Sequence, residues 1–259
     1  MKLLFEASAR AVRAAAVAAF GLLTALGAAA GDVPLRIVTE EFPPYNLTEH
    51  GRVTGFSTEV VEAVLKEIGV AAPIQSMPWA RAYDIAMNTE NVLIYSITRT
   101  AGRERLFKWV GVVAPSDWYL FSMRERPIAL GQLEDAKKYQ TATVNEDAGE
   151  QYLVAKGFAI GMNLQSSNKY ELNYEKLRRG RVSLWVANDL VAHYLARQAG
   201  DDPTKVLMHS LPLPELGGGE GLYMAFGNKT PDFLVERFRK GLATIKQNGT
   251  YDALKKKWL

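Results

Sequence analysis

Between Leu93 and Trp109 an apolar run gives way to a turn carrying Thr98, Arg99, Thr100, Arg103 and Arg105. Hydroxyls beside guanidiniums suit an anion, because Arg grips a carboxylate through two parallel charge-assisted hydrogen bonds. Leu93 to Ile97 reads as a short buried strand, and Gly102 breaks the pattern beyond it. The cations therefore fall just past a strand's carboxyl end, the edge where open α/β sheets bind ligands. On spacing alone, a solvated basic turn fits equally well.

Other residues could join such a site. Trp79 and Arg81 open a helix and could stack on and pair with a ligand, although lobe packing and a surface ion pair account for them too. Glu40 and Glu41 end the first strand; strand neighbours alternate, so one of them points inward, and Glu41 joins the candidate ligand residues. Trp118 is read as packing. His50, His193 and His209 lie in different local settings without metal spacing and are read as structural or surface residues. Ser57 has no nucleophile-elbow context and looks like a helix cap. No Gly-rich phosphate loop or dinucleotide fingerprint follows the first strand, so neither a cofactor nor a metal is expected.

The elements that must position these residues alternate. Strands are expected at Leu35 to Thr39, Ile74 to Met77 and Leu93 to Ile97, with helices from Thr58 to Ile68 and from Pro78 to about Asn88. This β-α-β-α-β order implies a parallel sheet with covering helices. After Val113 the pattern restarts, with strands at Trp118 to Met123, Gln140 to Val144, Ala159 to Leu164 and Val182 to Val186. Helices are expected from about Ala148 to Lys156, ending at Arg179, and running to Ala199 behind a cap at Asn188 or Asp189. Gly217-Gly218-Gly219 forms a break, Leu222 to Phe226 a strand, and Thr230-Pro231 starts a long helix before a last one at Tyr251 to Trp258. Two similar α/β units joined twice suggest two lobes around a cleft, which favours ligand binding and hinge closure.

Residues 1–30 have the layout of a secretory signal: Lys2, Arg10 and Arg13, then apolar Ala14 to Leu26, then Ala28-Ala29-Ala30 at a cleavage site. The apolar run is shorter than the ~20 residues that a membrane span needs. Cleavage removes three cations and Glu6, bringing the formal +3 close to neutrality, and no charge block suggests nucleic acid. The absence of Cys excludes disulfides, thiolate metal sites, a Cys nucleophile and a lipidated Cys. A periplasmic location follows most simply.

Four stretches together resemble the type II periplasmic solute-binding proteins, family 3, which bind polar amino acids. They are Val38 to Tyr45 with Gly55 to Glu59; Thr98 to Trp109; Leu177 to Asp189 with Gly180-Arg181-Val182; and Gly221 to Phe226 with Asn248-Gly249-Thr250-Tyr251 and Lys257-Trp258. The resemblance implies a two-lobed α/β fold, each lobe a mainly parallel sheet flanked by helices and joined by two hinge segments. The lobes would be residues 31–113 with 221–259, and residues 114–220. It implies that Thr100 and Arg103 hold an α-carboxylate, Thr98 offers backbone contacts, Asp189 pairs with an α-ammonium, and Tyr45, with Phe42 beside it, forms an aromatic wall. Its partners would be a small polar solute and an inner-membrane ABC permease, with the protein itself a monomer.

The chain also departs from the family. Val144 to Gly149 stands where the family has a small Gly-Ser/Thr-Thr-type loop. Glu146 and Asp147 there favour a helix N-terminus and repel an anionic ligand group, pointing to a weaker carboxylate grip or a more cationic ligand. Arg99 replaces an apolar position, and Ser183 an Asp. Two other functions fit the same scaffold. One is a dehydratase acting on cyclohexadienyl acids, with Glu41, Glu146 or Asp147 as general acid; the other is a module presenting its ligand to a receptor.

Overall fold

The structure is a computed structural model that describes residues 34–216 and 220–259. The expected export segment and the Gly217-Gly218-Gly219 break lie outside the described residues. The chain runs through β1 (Arg36–Thr39), the hairpin β2 (Leu47–Glu49) and β3 (Arg52–Thr54), α1 (Phe56–Glu67), β4 (Ile74–Ser76), α2 (Trp79–Asn88), β5 (Val92–Thr98) and β6 (Phe107–Ala114). Next come β7 (Trp118–Met123), a 3-10 turn at Leu133–Lys138, β8 (Thr141–Val144), α3 (Ala148–Ala155), β9 (Leu164–Ser167), α4 (Tyr170–Arg178) and β10 (Leu184–Asn188). It finishes with α5 (Asp189–Gln198), the short α6 (Pro203–Val206), β11 (Leu207–Pro212), β12 (Leu222–Gly227), α7 (Asp232–Gln247) and α8 (Thr250–Trp258).

These strands build two five-stranded sheets, ordered β4-β1-β5-β12-β6 and β11-β7-β10-β8-β9. The chain crosses from the first sheet to the second between Ala114 and Trp118 and returns between Pro212 and Leu222. Both sheets are mixed. β4, β1 and β5 are parallel, as the β-α-β-α-β order requires, whereas the returning β12 runs antiparallel to β5 and β6. In the second sheet β8 is parallel to β9 and β10, with β7 antiparallel to β10 and β11.

Burial follows the apolar pattern. α1 buries Val60, Val61 and Val64 against a sheet whose Ile37, Val38, Leu93 and Ile94 are fully buried, each such side chain contributing about 2 kcal/mol. The second core centres on Trp185, which packs against Phe121 and Tyr174. Among the described residues no helix is long and apolar enough to cross a membrane.

Two local expectations change, and one open alternative is resolved. Ala159 to Leu164 is a turn, because Gly161 adopts a φ of 83° and the Asn163 side chain accepts the Ala159 N–H, so the strand begins at Leu164. Ser57 does not cap α1; Gly55 occupies that position at φ 108°, and Ser57 is already inside the helix. Asn188, rather than Asp189, caps α5, accepting the N–H groups of Leu190 and Val191.

Candidate functional site

β5 is buried along its whole length at the centre of the first sheet. Near its carboxyl end the pairing with β12 passes from Tyr95 to Ile97, leaving Ser96 as a bulge at φ 59°. A left-handed Ser inside a buried strand stores strain, a feature that clusters at functional sites. The Ser96 hydroxyl donates to Asn46 Oδ1, and Asn46 Nδ2 donates to the Glu40 carbonyl at 2.6 Å. The bulge thereby anchors the backbone of Glu40.

Past Thr98 the turn returns Arg103 onto the strand end. Its backbone N–H donates to the Thr100 carbonyl at 3.0 Å, and Nη1 donates to the Thr98 carbonyl at 3.2 Å. The guanidinium is 1% exposed and lies 5.1 Å from the Trp79 ring and 4.9 Å from Tyr83, both on α2. Its other two nitrogens reach the second sheet's elements: Nη2 donates to the Glu146 carbonyl at 3.1 Å and Nε to Gln151 Oε1 at 3.0 Å. Glu146 sits at φ 60°, and its carbonyl also accepts Trp79 Nε1 at 2.7 Å. Two side chains of the first lobe thus converge on one backbone oxygen of the second.

Asp147 follows as the cap of α3. One carboxylate oxygen accepts the Glu150 N–H at 2.6 Å, and the other accepts the Tyr170 hydroxyl at 3.1 Å. Phe42 reaches across from the first lobe, with ring centroids 4.9 Å from Tyr170 and 6.2 Å from Trp118. Glu40, Phe42, Trp79, Ser96, Thr98, Arg103, Trp118, Asp147 and Tyr170 enclose a small chamber between the two sheets, with room for little more than one water. A second, larger cavity shares Glu40, Trp79 and Tyr170 and continues outward past Glu41, Lys169 and Glu171.

The electrostatics are those of charges removed from water. Burial pushes the Glu40 carboxyl well above the usual carboxylate range, and nearby Asp147 adds to the shift. Burial likewise carries Asp147 up to about 7, against the pull of its two hydrogen bonds and Arg103. Arg103 is lowered, again chiefly by burial. One buried guanidinium cannot balance two ionised carboxylates, so at neutral pH the chamber retains a proton.

The structure gathers Trp79, Thr98, Arg103 and Asp147 from the sequence-predicted set and places the other six elsewhere. Glu41 turns outward and accepts the Thr48 N–H at 2.8 Å, the Thr48 hydroxyl and the Ser76 hydroxyl. Arg81 is exposed. Arg99 forms two hydrogen bonds with Glu104 and lies over Trp109 and Tyr223. Thr100 shapes the turn through its carbonyl. Tyr45 is fully buried, its hydroxyl donating to the Pro115 carbonyl at 2.9 Å and to Asn188 Oδ1 at 3.1 Å. It ties the first lobe to the crossing segment and to the end of β10, and Phe42 supplies the aromatic face instead. Asp189 is absent from the chamber because Asn188, one residue earlier, is the buried one. Asp189 pairs with His209 at 2.7 Å and lies 3.7 Å from His193, so these two histidines share one setting after all.

Glu40, Ser96, Trp118 and Tyr170 enter the chamber in place of residues read from sequence. Strand alternation had already narrowed the first to Glu40 or Glu41; nothing local marks Tyr170, which arrives through packing. The tether carries its own expectation. Tyr45→Phe removes the one proton shared by the Pro115 carbonyl and Asn188 Oδ1, the latter keeping the Leu190 and Val191 N–H groups, and should lower stability by about 1 kcal/mol, read as a lower urea midpoint at unchanged slope. An unchanged midpoint would mean that the hydroxyl does not hold the lobe.

Comparison with known proteins bears on this arrangement. The bacterial extracellular solute-binding proteins, family 3, match residues 35–259. The arginine-binding extracellular protein ArtP of Bacillus subtilis is 22% identical over 224 residues, covering 84% of this chain and 82% of that protein. A histidine kinase sensor domain with similarity to periplasmic binding proteins has a TM-score of 0.75 at 19% identity, covering 88% of this chain and 96% of that one. An ancestral arginine-binding protein, solved bound to arginine, has a TM-score of 0.73 at 22% identity, covering 87% of this chain and 97% of the other. The solved structures share the two-lobed α/β fold.

Proposed function

This chain belongs to the bacterial extracellular solute-binding proteins of family 3, and we propose that its solute is a basic amino acid held in the chamber around Arg103. The observation that carries the reading is a buried guanidinium flanked by two buried carboxyls at the junction of two lobes. A zwitterion needs a cationic fork at one end and a carboxylate at the other, both largely dry. Arg103 takes the α-carboxylate, displacing its contacts with backbone carbonyls, and Glu40 and Asp147 face the α-ammonium. Phe42, Trp79, Trp118 and Tyr170 cover the carbon skeleton. The chamber admits a head group only when the lobes part, and the adjoining cavity, where Glu41 and Glu171 outnumber Lys169, suits a long cationic side chain. The arginine-binding relative supports this class.

On the same reading the export signal at residues 1–30 is cleaved and the mature protein works as a periplasmic monomer. Residues 31–113 with 221–259 close against 114–220 about the two crossings, and an inner-membrane ABC permease receives the closed form. A thermal-shift screen against all amino acids, polyamines and dicarboxylates tests it. Binding to the native state alone adds about 2.7 kcal/mol at a hundred times Kd. Arginine, lysine or histidine should give the largest rise; a response to dicarboxylates alone would overturn the assignment.

A second reading rests on Asp147. A carboxyl titrating at about 7 in a closed chamber can act as a general acid, as dehydration of a cyclohexadienyl acid requires. Incubation with arogenate or prephenate, followed by absorbance of the aromatic product, decides it: no product excludes the reading.

A further inference from the structure

Asp189, His193 and His209 belong to the second lobe and do not line the chamber. Asp189 opens α5 and His193 follows one turn later on the same helical face. His209 comes from β11 across the surface. Both histidines present Nε2 to the same Asp189 Oδ1, at 2.7 and 3.7 Å, and the three donor atoms lie within 4.8 Å of one another. The whole chain has three histidines, and two of them, sixteen residues apart, converge on one carboxylate.

We propose that these three side chains form a binding site for a borderline divalent cation of the zinc class. Two imidazole nitrogens and one carboxylate oxygen suit zinc, nickel or copper rather than magnesium or calcium, which prefer all-oxygen sites. Tetrahedral zinc with bonds of about 2.0–2.1 Å needs donors about 3.3 Å apart. The Asp189–His209 separation opens and the Asp189–His193 separation closes by about half an ångström, and the two imidazole nitrogens, no more than 4.8 Å apart, close by up to about 1.5 Å, movements that side-chain rotation provides. Asp189 and His193 are half-buried and His209 is exposed, leaving a solvent-facing position for water or an external ligand.

The surroundings hold the donors in place. The Asp189 N–H donates to the Asp117 carbonyl at 2.9 Å, and the His209 ring packs 4.2 Å from Tyr119 and 5.0 Å from Phe121. Arg197 is a nearby cation that opposes metal binding. An ion here clamps the start of α5 to β11, next to Asn188, which receives the Tyr45 hydroxyl.

Calorimetric titration of zinc into chelator-treated protein lacking a polyhistidine tag tests the site. One ion should bind per chain; H193A and H209A should each weaken it by about tenfold or more, while H50A, at the β2–β3 turn, leaves it unchanged. Copper bound to the same protein should show nitrogen hyperfine structure from two imidazoles, lost in the double variant. Circular dichroism establishes that each variant is folded. Absence of saturable zinc binding, or an H193A/H209A double variant that titrates like the parent, would overturn the proposal.

Discussion

Arg103→Met should weaken amino-acid binding by about a hundredfold or more while leaving a folded protein. Methionine keeps much of the stem but removes the one cation that lines the chamber among the described residues. Removing one partner from a buried charge pair costs about 2–5 kcal/mol, and a hundredfold corresponds to about 2.8 kcal/mol. The fold survives because Glu40 and Asp147, already pushed toward their neutral forms, take up protons instead of remaining as unpaired anions. Arg103 also joins the lobes through Glu146 and Gln151, so weaker closure could mimic a lost carboxylate contact. The amide of the same amino acid separates the two effects. If the guanidinium grips the carboxylate, the wild-type protein binds the amide poorly and R103M binds acid and amide alike. If R103M only loosens the lobes, it still prefers the acid. Calorimetric affinities within threefold of wild type would remove Arg103 from the site altogether. Arg103→Lys should also fail, because an ammonium cannot reproduce a planar fork that spans the Thr98 carbonyl, the Glu146 carbonyl and Gln151 at once.

How far the sequence leads depends on whether a property is local. The two-lobed fold is legible because alternating apolar runs and helical periodicity report burial directly, whereas spacing alone leaves Arg103 level with a solvated basic turn and only the family resemblance singles it out. Asp189 shows the opposite case. An Asn-Asp pair at a strand-to-helix junction offers two candidates, and the side-chain direction changes with each residue. The buried, capping position falls to Asn188, and Asp189 turns out toward two histidines. Tyr45 is misplaced for a related reason. Its ring is buried as expected, but its hydroxyl finds partners at Pro115 and Asn188, far away in the chain. Tyr170 and Trp118 become wall residues only when the second lobe meets Phe42, and no window of sequence contains that meeting. Polar partners fixed by tertiary packing are thus what single-chain reading loses first.

Asp147→Asn should make the protein more stable above neutral pH and worse at binding. The Asp147 carboxyl titrates at about 7 in the folded chain, burial being the main cause, against an ordinary value near 4 when unfolded. Between those values the native state holds a proton that the unfolded state has released. Stability therefore falls as pH rises from about 4 to about 7 and levels off above. Asparagine preserves the oxygen that caps α3 through the Glu150 N–H but cannot ionise. At pH 4 the variant and wild type should melt together. By pH 8 the variant should lead by about 2–4 kcal/mol, some 5–10 °C in Tm for a chain of this size. Calorimetric melts across pH 4 to 8 measure the gap, and a gap that does not widen with pH would refute the assigned cause. If Asp147 faces the ligand's ammonium, the same substitution should cut amino-acid affinity at pH 8 by at least about tenfold. A stability gain with undiminished affinity would instead leave Glu40 as the carboxylate that receives the amine. Either way the two measurements separate a carboxyl retained for the ligand from one retained for the helix cap, because asparagine serves the cap and not the cation.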